Sequence, residues 1–289
     1  MKTECDPPAC QNKISMYLQK PFLHILLITA VGLLAYSNTF NVPFHLDDSA
    51  VIIRNPIIKY LHFFVEPSKA KAFKGFFEYE TFRLRYIGYL TFALNYKVHG
   101  LNVAGYHIVN LAVHIINALL VYWLVLLTLR MPFFRTTYSE ARTLQAVPCG
   151  LPPNWIALFS ALLFVSHPVQ TQAVTYIWQR VTSLTATFYL FSLLMYIKAR
   201  SDCSKVGSKE SETGFLSDLN LIFYVLSVLF AIIAMKTKEI AFTLPIIIAL
   251  YEFMFFEGRL KSRILFLIPV FSTMFIIPLT LFVGTDRSF

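Results

Sequence analysis

Charge is what this sequence has least of: of its 289 residues only 14% are Asp, Glu, Lys or Arg, while 56% are hydrophobic. A soluble globular domain carries roughly 25% charged and about 45 to 50% apolar residues, so a soluble enzyme is excluded. The four cysteines, Cys5, Cys10, Cys149 and Cys203, are scattered. The Cys5 to Cys10 spacing lacks the pairing of a zinc site, so neither a disulfide framework nor a zinc centre is implied. The sequence contains no P-loop, G-x-G-x-x-G, G-x-S-x-G or H-E-x-x-H, which leaves nucleotide chemistry and serine hydrolysis without support. No repeat of 20 to 50 residues is visible. The N-terminus also lacks the basic region, short apolar core and small-residue cleavage site of a signal peptide, so the first apolar stretch is expected to stay as an anchor.

What the sequence does have is uncharged runs, at 21–44, 106–129, 155–179, 181–197, 219–235, 240–251 and 264–285. A membrane span needs roughly 20 mostly apolar residues, and the pattern predicts an all-α polytopic membrane protein of about seven transmembrane helices. The third run should kink or exit at His167-Pro168, because proline removes a backbone donor and disfavours helical geometry before it. The stretch after Val169 is expected to be re-entrant or interfacial.

The net charge of +9 could mean nucleic-acid binding in a soluble protein, but here it orients the chain. Basic residues collect after the second run (Arg130, Arg135, Arg142), after the fourth (Lys198, Arg200, Lys205, Lys209) and after the sixth (Arg259, Lys261, Arg263), with Lys2, Lys13 and Lys20 near the N-terminus. Cytoplasmic connections gather Lys and Arg, so loops 37–105, 169–180 and 236–239 should lie outside. The organisation expected is a cytoplasmic tail (1–20), a first span (21–44), an outer loop (45–105), six further spans (106–285) and an outer end (286–289). Within the outer loop, 57–65 and 86–96 suit amphipathic helices at the interface; a re-entrant hairpin is the alternative. Segment 201–217, rich in Ser, Lys, Glu and Asp, reads as a mobile cytoplasmic connection.

Asp47-Asp48, just after the first run, is the strongest chemical feature. Partial burial and mutual repulsion can raise one carboxyl's pKa and make it a proton acceptor, and the pair could hold a divalent cation such as magnesium or manganese. A solvated loop pair is the plainer reading. Arg83 and Arg85 lie in the same loop, and a guanidinium fork matches a phosphate or carboxylate; ordinary anchoring to phospholipid is the competitor. In the second run His107, Asn110, His114 and Asn117 share one helical face, which serves either a polar cavity or hydrogen bonding between helices. His107 and Asn110 are the better site candidates. The outer turn from Gln170 to Arg180 could line a sugar site, although an interfacial Trp and Tyr belt explains its aromatics equally. Lys236 and Lys238 could meet a phosphate as point charges or simply snorkel.

Four stretches taken in order resemble a known family. Leu46-Asp47-Asp48 through Arg54-Asn55-Pro56 is similar to the DD...NP segment of the membrane O-mannosyltransferases with tetratricopeptide repeats that modify cadherins, and of their bacterial relatives. Arg85 to Asn95 (RYIGYLTFALN) resembles their YRPL...TF.LN, followed by Tyr106-His107, Asn110, His114 and Asn117. His167-Pro168 with Gln172-Ala173-Val174 and Arg180 resembles HP...EAV......R, and Lys238-Glu239 their KE step. The resemblance runs from about Phe44 to Glu252. The family's Glu is Gln172 here, Arg-Pro-Leu reads Arg85-Tyr86-Ile87, and Val181-Thr182 replaces the acid after the later Arg. QTQAVTYIWQR looks closer to bacterial members.

The resemblance implies a GT-C fold and inverting transfer of a sugar, mannose in the named family, from a polyprenyl phosphate carrier to an acceptor hydroxyl on protein or glycan. The site would face the non-cytoplasmic side of a bacterial inner membrane, or of the endoplasmic reticulum. Asp47 would be the base or a metal partner and Asp48 its helper. Arg85 would contact the donor phosphate, with Arg180 and Lys238 as further contacts and His107, Asn110, Gln172 and Glu239 as further donor- or substrate-binding residues. No cofactor beyond that cation is implied, and nucleic acid is not a partner. Tetratricopeptide repeats are expected downstream in the family and are absent from these residues, so the expectation is either a fragment of a longer protein with further helices or a member that has lost the repeats. A lipid-linked sugar flippase and a non-catalytic membrane scaffold are the competing functions; the inverted repeats that would favour a flippase are not visible.

Overall fold

The computed structural model describes residues 20–131, 133–134, 152–206 and 218–282. The readings placed on the N-terminal tail, on Cys5, Cys10, Cys149, Arg135, Arg142 and Lys209, on most of 201–217 and on the C-terminal end fall outside those residues. Among the described residues there are helices and no strand. Each uncharged run carries one helical segment: α1 (Pro21–Ala35), α4 (Val103–Leu129), α5 (Pro153–Ser166), α6 (Arg180–Val206), α7 (Asp218–Met235), α8 (Leu244–Phe255) and the pair α9 (Leu260–Ser272) and α10 (Ile276–Phe282). In the 45–105 loop lie α2 (Phe77–Leu84) and α3 (Tyr86–His99), preceded by the single turns Pro56–Lys59 and His62–Val65. The expected helix at 86–96 is therefore present, whereas 57–65 is two turns separated at Tyr60 and Leu61. The chain is an all-helical, polytopic membrane protein.

Stretches Val103–Leu129, Ile177–Ser201 and Leu260–Phe282 are long and apolar enough to cross a membrane on their own. α1 and α5 are shorter, with 15 and 14 residues, about 22 Å at 1.5 Å per residue against roughly 30 Å of hydrocarbon. Proline at the first helical position starts both, where its missing N–H costs nothing. α1 stops at Ser37-Asn38-Thr39, and α5 stops at His167-Pro168. The apolar run thus continues past the helix in each case, because side chains that favour turns end the helix before the hydrophobic signal ends. α4, at 27 residues about 40 Å long, stands beside both breaks.

Three apolar cores are the largest among the described residues. Ile28, Ala118, Tyr122, Ala157, Ala161 and Val165 pack α1, α4 and α5 together. Gly32 permits this, since a Cβ there would stand 2.9 Å from Ile115 and 3.0 Å from Val165. Leu193, Tyr196, Ala231, Ile248 and Val270 join α6 to α9. The third core is built by the 45–105 loop: Val51, Ile52, Ile57, Ile58, Phe82, Tyr89 and Phe92 close over Ile177, Trp178 and Val181. Gly88 seats α3 on α6, its missing Cβ leaving room for Val181 at 2.8 Å. This seat carries Arg85, at the start of α3, to the turn that precedes α6.

Candidate active site

The backbone that leaves α1 and α5 is irregular, and irregular backbone at membrane depth survives only where its polar groups find protein partners. The polar face of α4 supplies them. His107 Nε2–H donates to the Val42 carbonyl at 2.8 Å, and His114 Nε2–H to the Val165 carbonyl at 3.1 Å. Asn110 Nδ2 donates to Val174 and Ile177 at 3.2 and 3.4 Å, and Asn117 Nδ2 to Ser183 at 2.9 Å. All four side chains are buried. The first three members of the i, i+3, i+7, i+10 stripe are thus a rack for the carbonyls of Val42, Val165, Val174 and Ile177, while Asn117 holds the Ser183 carbonyl of α6, and His107 and Asn110 sit beneath the site.

Those two segments present the acid pair. Asp48 is 1% exposed. Its Oδ2 accepts the His45 N–H at 3.0 Å and its Oδ1 the Trp178 N–H at 2.8 Å, pinning one segment to the other. Burial pushes the Asp48 carboxyl above the usual carboxylate value, opposed by both N–H donors and by His45, with the Asp47 charge adding to the rise. Asp47, exposed, points the other way. Tyr176 OH donates to Asp47 Oδ2 at 2.9 Å and lies 3.2 Å from the Asp47 N–H. Burial first, and then the bond to Asp47, push the Tyr176 phenol up to about 12, so it keeps its proton at neutral pH. Asp47 Oδ1 meets no protein donor among the described residues. Leu46, immediately before, has φ of 48° and is 82% exposed; a left-handed non-glycine residue stores on the order of 1 kcal/mol or more of strain, which functional loops hold more often than other loops.

Both Asp48 oxygens are committed to backbone N–H groups, and no group of three or more His, Cys, Asp and Glu that could hold a metal occurs among the described residues. So placed, the pair turns one carboxylate outward, that of Asp47, and ties the other to the backbone.

Around Arg85, which packs on the Trp178 ring, stands a cationic cluster. Arg85 lies 5.8 Å from the centroid of the Trp178 ring and grips Glu239 through Nε and Nη2, at 3.2 and 3.3 Å. Lys238 Nζ donates to Thr182 Oγ1 at 2.7 Å and Lys236 Nζ to Thr280 Oγ1 at 2.6 Å. Burial lowers the pKa of both lysines, and Arg85 beside Lys238 and Arg83 beside Lys236 lower them further. Arg180 is not in this cluster. It is fully buried, with Nε to Asn110 at 2.7 Å, Nη2 to Asn95 at 2.8 Å and to the Tyr106 carbonyl at 3.0 Å, and the Phe92 ring 4.5 Å from its guanidinium carbon. It clamps α3, α4 and α6 below the site. Gln172 is exposed on the rim.

The chain matches curated proteins of one kind. It is 27% identical over 227 residues to human protein O-mannosyl-transferase TMTC4, which covers 76% of this chain and 28% of that protein. With mouse protein O-mannosyl-transferase TMTC2 it shares 28% identity over 242 residues, 82% of this chain and 25% of the relative. With the Xenopus laevis protein O-mannosyl-transferase tmtc2 it shares 30% over 178 residues, 60% of this chain and 18% of the relative. The chain is similar to curated protein O-mannosyl-transferases. The kinship expected from the four ordered stretches is therefore found. The chain spans about a quarter of the length of the curated relatives it matches. No family model matches it, and no solved structure does.

Tyr176, Trp178 and Asn95 are the site residues that sequence reasoning undervalued. The first two stood in a polar, aromatic outer turn that a membrane belt explains equally well. Asn95 closes the RYIGYLTFALN stretch, but a single sequence does not show that it faces Arg180 across 85 residues.

Proposed function

We propose that this chain is the membrane-embedded transferase part of a protein O-mannosyl-transferase-type enzyme, with a GT-C-like fold, moving a mannosyl group from a polyprenyl phosphate carrier to a hydroxyl on protein. The observation that carries the reading is Asp47: an exposed carboxylate held in one orientation by Tyr176, with no described residue donating to its Oδ1, next to Asp48, which bonds the Trp178 N–H, while the Trp178 ring packs on Arg85 of the cationic cluster. In the reaction Asp47 Oδ1 takes the proton of the acceptor hydroxyl, whose oxygen attacks the anomeric carbon. The bond from that carbon to the phosphate oxygen breaks, its electron pair leaves with the lipid phosphate, and configuration inverts. Arg85 and Lys238 meet the charge developing on the phosphate. Asp48, His107, Asn110 and Arg180 hold the backbone that positions these groups.

The site lies at the end of the helices opposite Arg130, Arg200 and Arg263. Enrichment of Lys and Arg in cytoplasmic connections supports a site on the non-cytoplasmic side, the lumen of the endoplasmic reticulum in an animal cell or the periplasm in a bacterium. The organisation into tail, first span, outer loop and six further spans belongs to the same proposal.

The donor class is tested in sealed vesicles carrying the full chain, offered radiolabelled mannose either on a polyprenyl phosphate or on a nucleoside diphosphate together with an acceptor peptide. Transfer from the lipid donor alone is expected. Transfer from the nucleotide donor alone, with the lipid donor inert, contradicts the reading.

A further inference from the structure

Arg85 presents its fork to a carboxylate already inside the protein. Both oxygens of Glu239 are engaged, at 3.2 and 3.3 Å, in the planar bidentate geometry that a phosphate would also use. The pair is reachable, with 24% of the Arg85 side chain and 36% of that of Glu239 exposed. Lys238 stands next to it, bonded to the Thr182 hydroxyl, and the positive charge of Arg85 works against that of Lys238 while Glu239 relieves it. If Glu239 swung away with nothing in its place, two cations would face each other across a partly dry gap. An anion that arrived as Glu239 left would prevent that.

We infer that Glu239 is an internal stand-in for phosphate: it fills the Arg85 fork in the empty protein, is displaced by the phosphate of the lipid donor, and returns to expel the lipid phosphate after transfer. This rests on the donor-phosphate reading above and adds a release step to it. The donor is a phosphodiester with one negative charge. The product is a phosphomonoester, whose second ionisation near pH 6 makes it the more negative of the two. Two cations alone would therefore hold product more tightly than donor. A competing carboxylate on the same fork counters that trap.

The test uses the full chain in nanodiscs of zwitterionic phospholipid, with Trp123 and Trp155 replaced by Phe so that Trp178, beside Arg85, reports binding by its fluorescence. Farnesyl phosphate is titrated as a short lipid monophosphate, in parallel with inorganic phosphate and phosphatidic acid. E239Q is expected to bind farnesyl phosphate about five-fold more tightly, the worth of a partly exposed ion pair, and R85Q to lose binding. In transfer assays E239Q should lower the donor KM and lower kcat as well, because release slows. Weaker or unchanged farnesyl phosphate binding by E239Q, with the parent chain binding normally, overturns the stand-in role and makes Glu239 a strut for Arg85. Binding by neither protein overturns the phosphate site itself. Equal responses to all three ligands mark a general anion site and contradict displacement by the donor; a preference for phosphatidic acid assigns the fork to bulk lipid and does the same.

Discussion

Asp47 and Asp48 are adjacent, yet one is exposed, with no described residue donating to its Oδ1, and the other spends both oxygens on backbone N–H groups from two segments. D48A leaves the His45 and Trp178 N–H groups without their acceptor, each orphan worth about 1 to 3 kcal/mol. The expected result is a lower thermal midpoint in detergent together with loss of transfer, read by tryptophan fluorescence and by the vesicle assay; an unchanged midpoint contradicts the tether. The raised pKa of Asp48 also has a sign. The folded protein holds this proton more tightly than the unfolded chain does, so the group favours folding below the ordinary aspartate range, and that benefit is lost as pH rises through its raised value. In D48N this part of the pH dependence should vanish. Thermal midpoints of both proteins from about pH 4 upward, compared as a difference, check it.

At the scale of elements, polar groups join the helices in addition to the apolar packing, whose net worth is reduced where lipid competes for apolar surface. Ser192 and Ser227 exchange bonds at 2.8 Å between α6 and α7, and S192A should cost only about 0.6 kcal/mol, a typical interhelical bond. Two charged clamps are different in kind. Arg180 is enclosed by Asn95, Asn110 and the Tyr106 carbonyl at the site end. At the other end Glu252, 0% exposed, accepts from Arg200 at 2.6 and 3.0 Å and from Tyr196 at 3.1 Å, with Arg263 on its carbonyl. Removing one member of such a group costs about 3 to 5 kcal/mol. E252A should therefore lower stability far more than S192A, and R180K should fail to rescue, because an ammonium cannot span the positions of a guanidinium fork; chemical denaturation in mixed micelles ranks the three. The seven helical segments and the break at His167-Pro168 were legible in the sequence because apolar runs and proline act locally. The lengths of α1 and α5 were not: hydropathy continues through residues 36–44 after the helix has ended, since Phe, Val and Pro are as apolar in a turn as in a span. The α4 stripe was legible as a face. Its service to the carbonyls of two other segments depends on chain folding that no local spacing encodes.

For the whole molecule, these contacts place the candidate site and the Arg180 clamp at one end of the bundle and the Glu252 clamp at the other. The 45–105 loop and the two broken spans converge on Trp178, which bonds Asp48 through its N–H and packs under Arg85 with its ring. Acid and cations therefore share one support although Asp47 and Glu239 are far apart in the chain. The acid pair, Arg85 and the Lys238-Glu239 step could be read from the sequence because each combines charge with an apolar neighbourhood. The separate roles of Asp47 and Asp48 could not, because which carboxylate is buried is decided by Trp178 and Tyr176, 130 and 129 residues away. The central claim is that the exposed Asp47 carboxylate drives transfer. Its most direct test is the initial rate of mannosyl transfer from polyprenyl phosphate mannose by the parent chain and by D47N, at equal membrane insertion and with donor binding measured on both. The account predicts a fall in kcat of about 10² to 10⁴-fold, the usual worth of a positioned general base, with donor binding unchanged. Equal rates in the two proteins would contradict it.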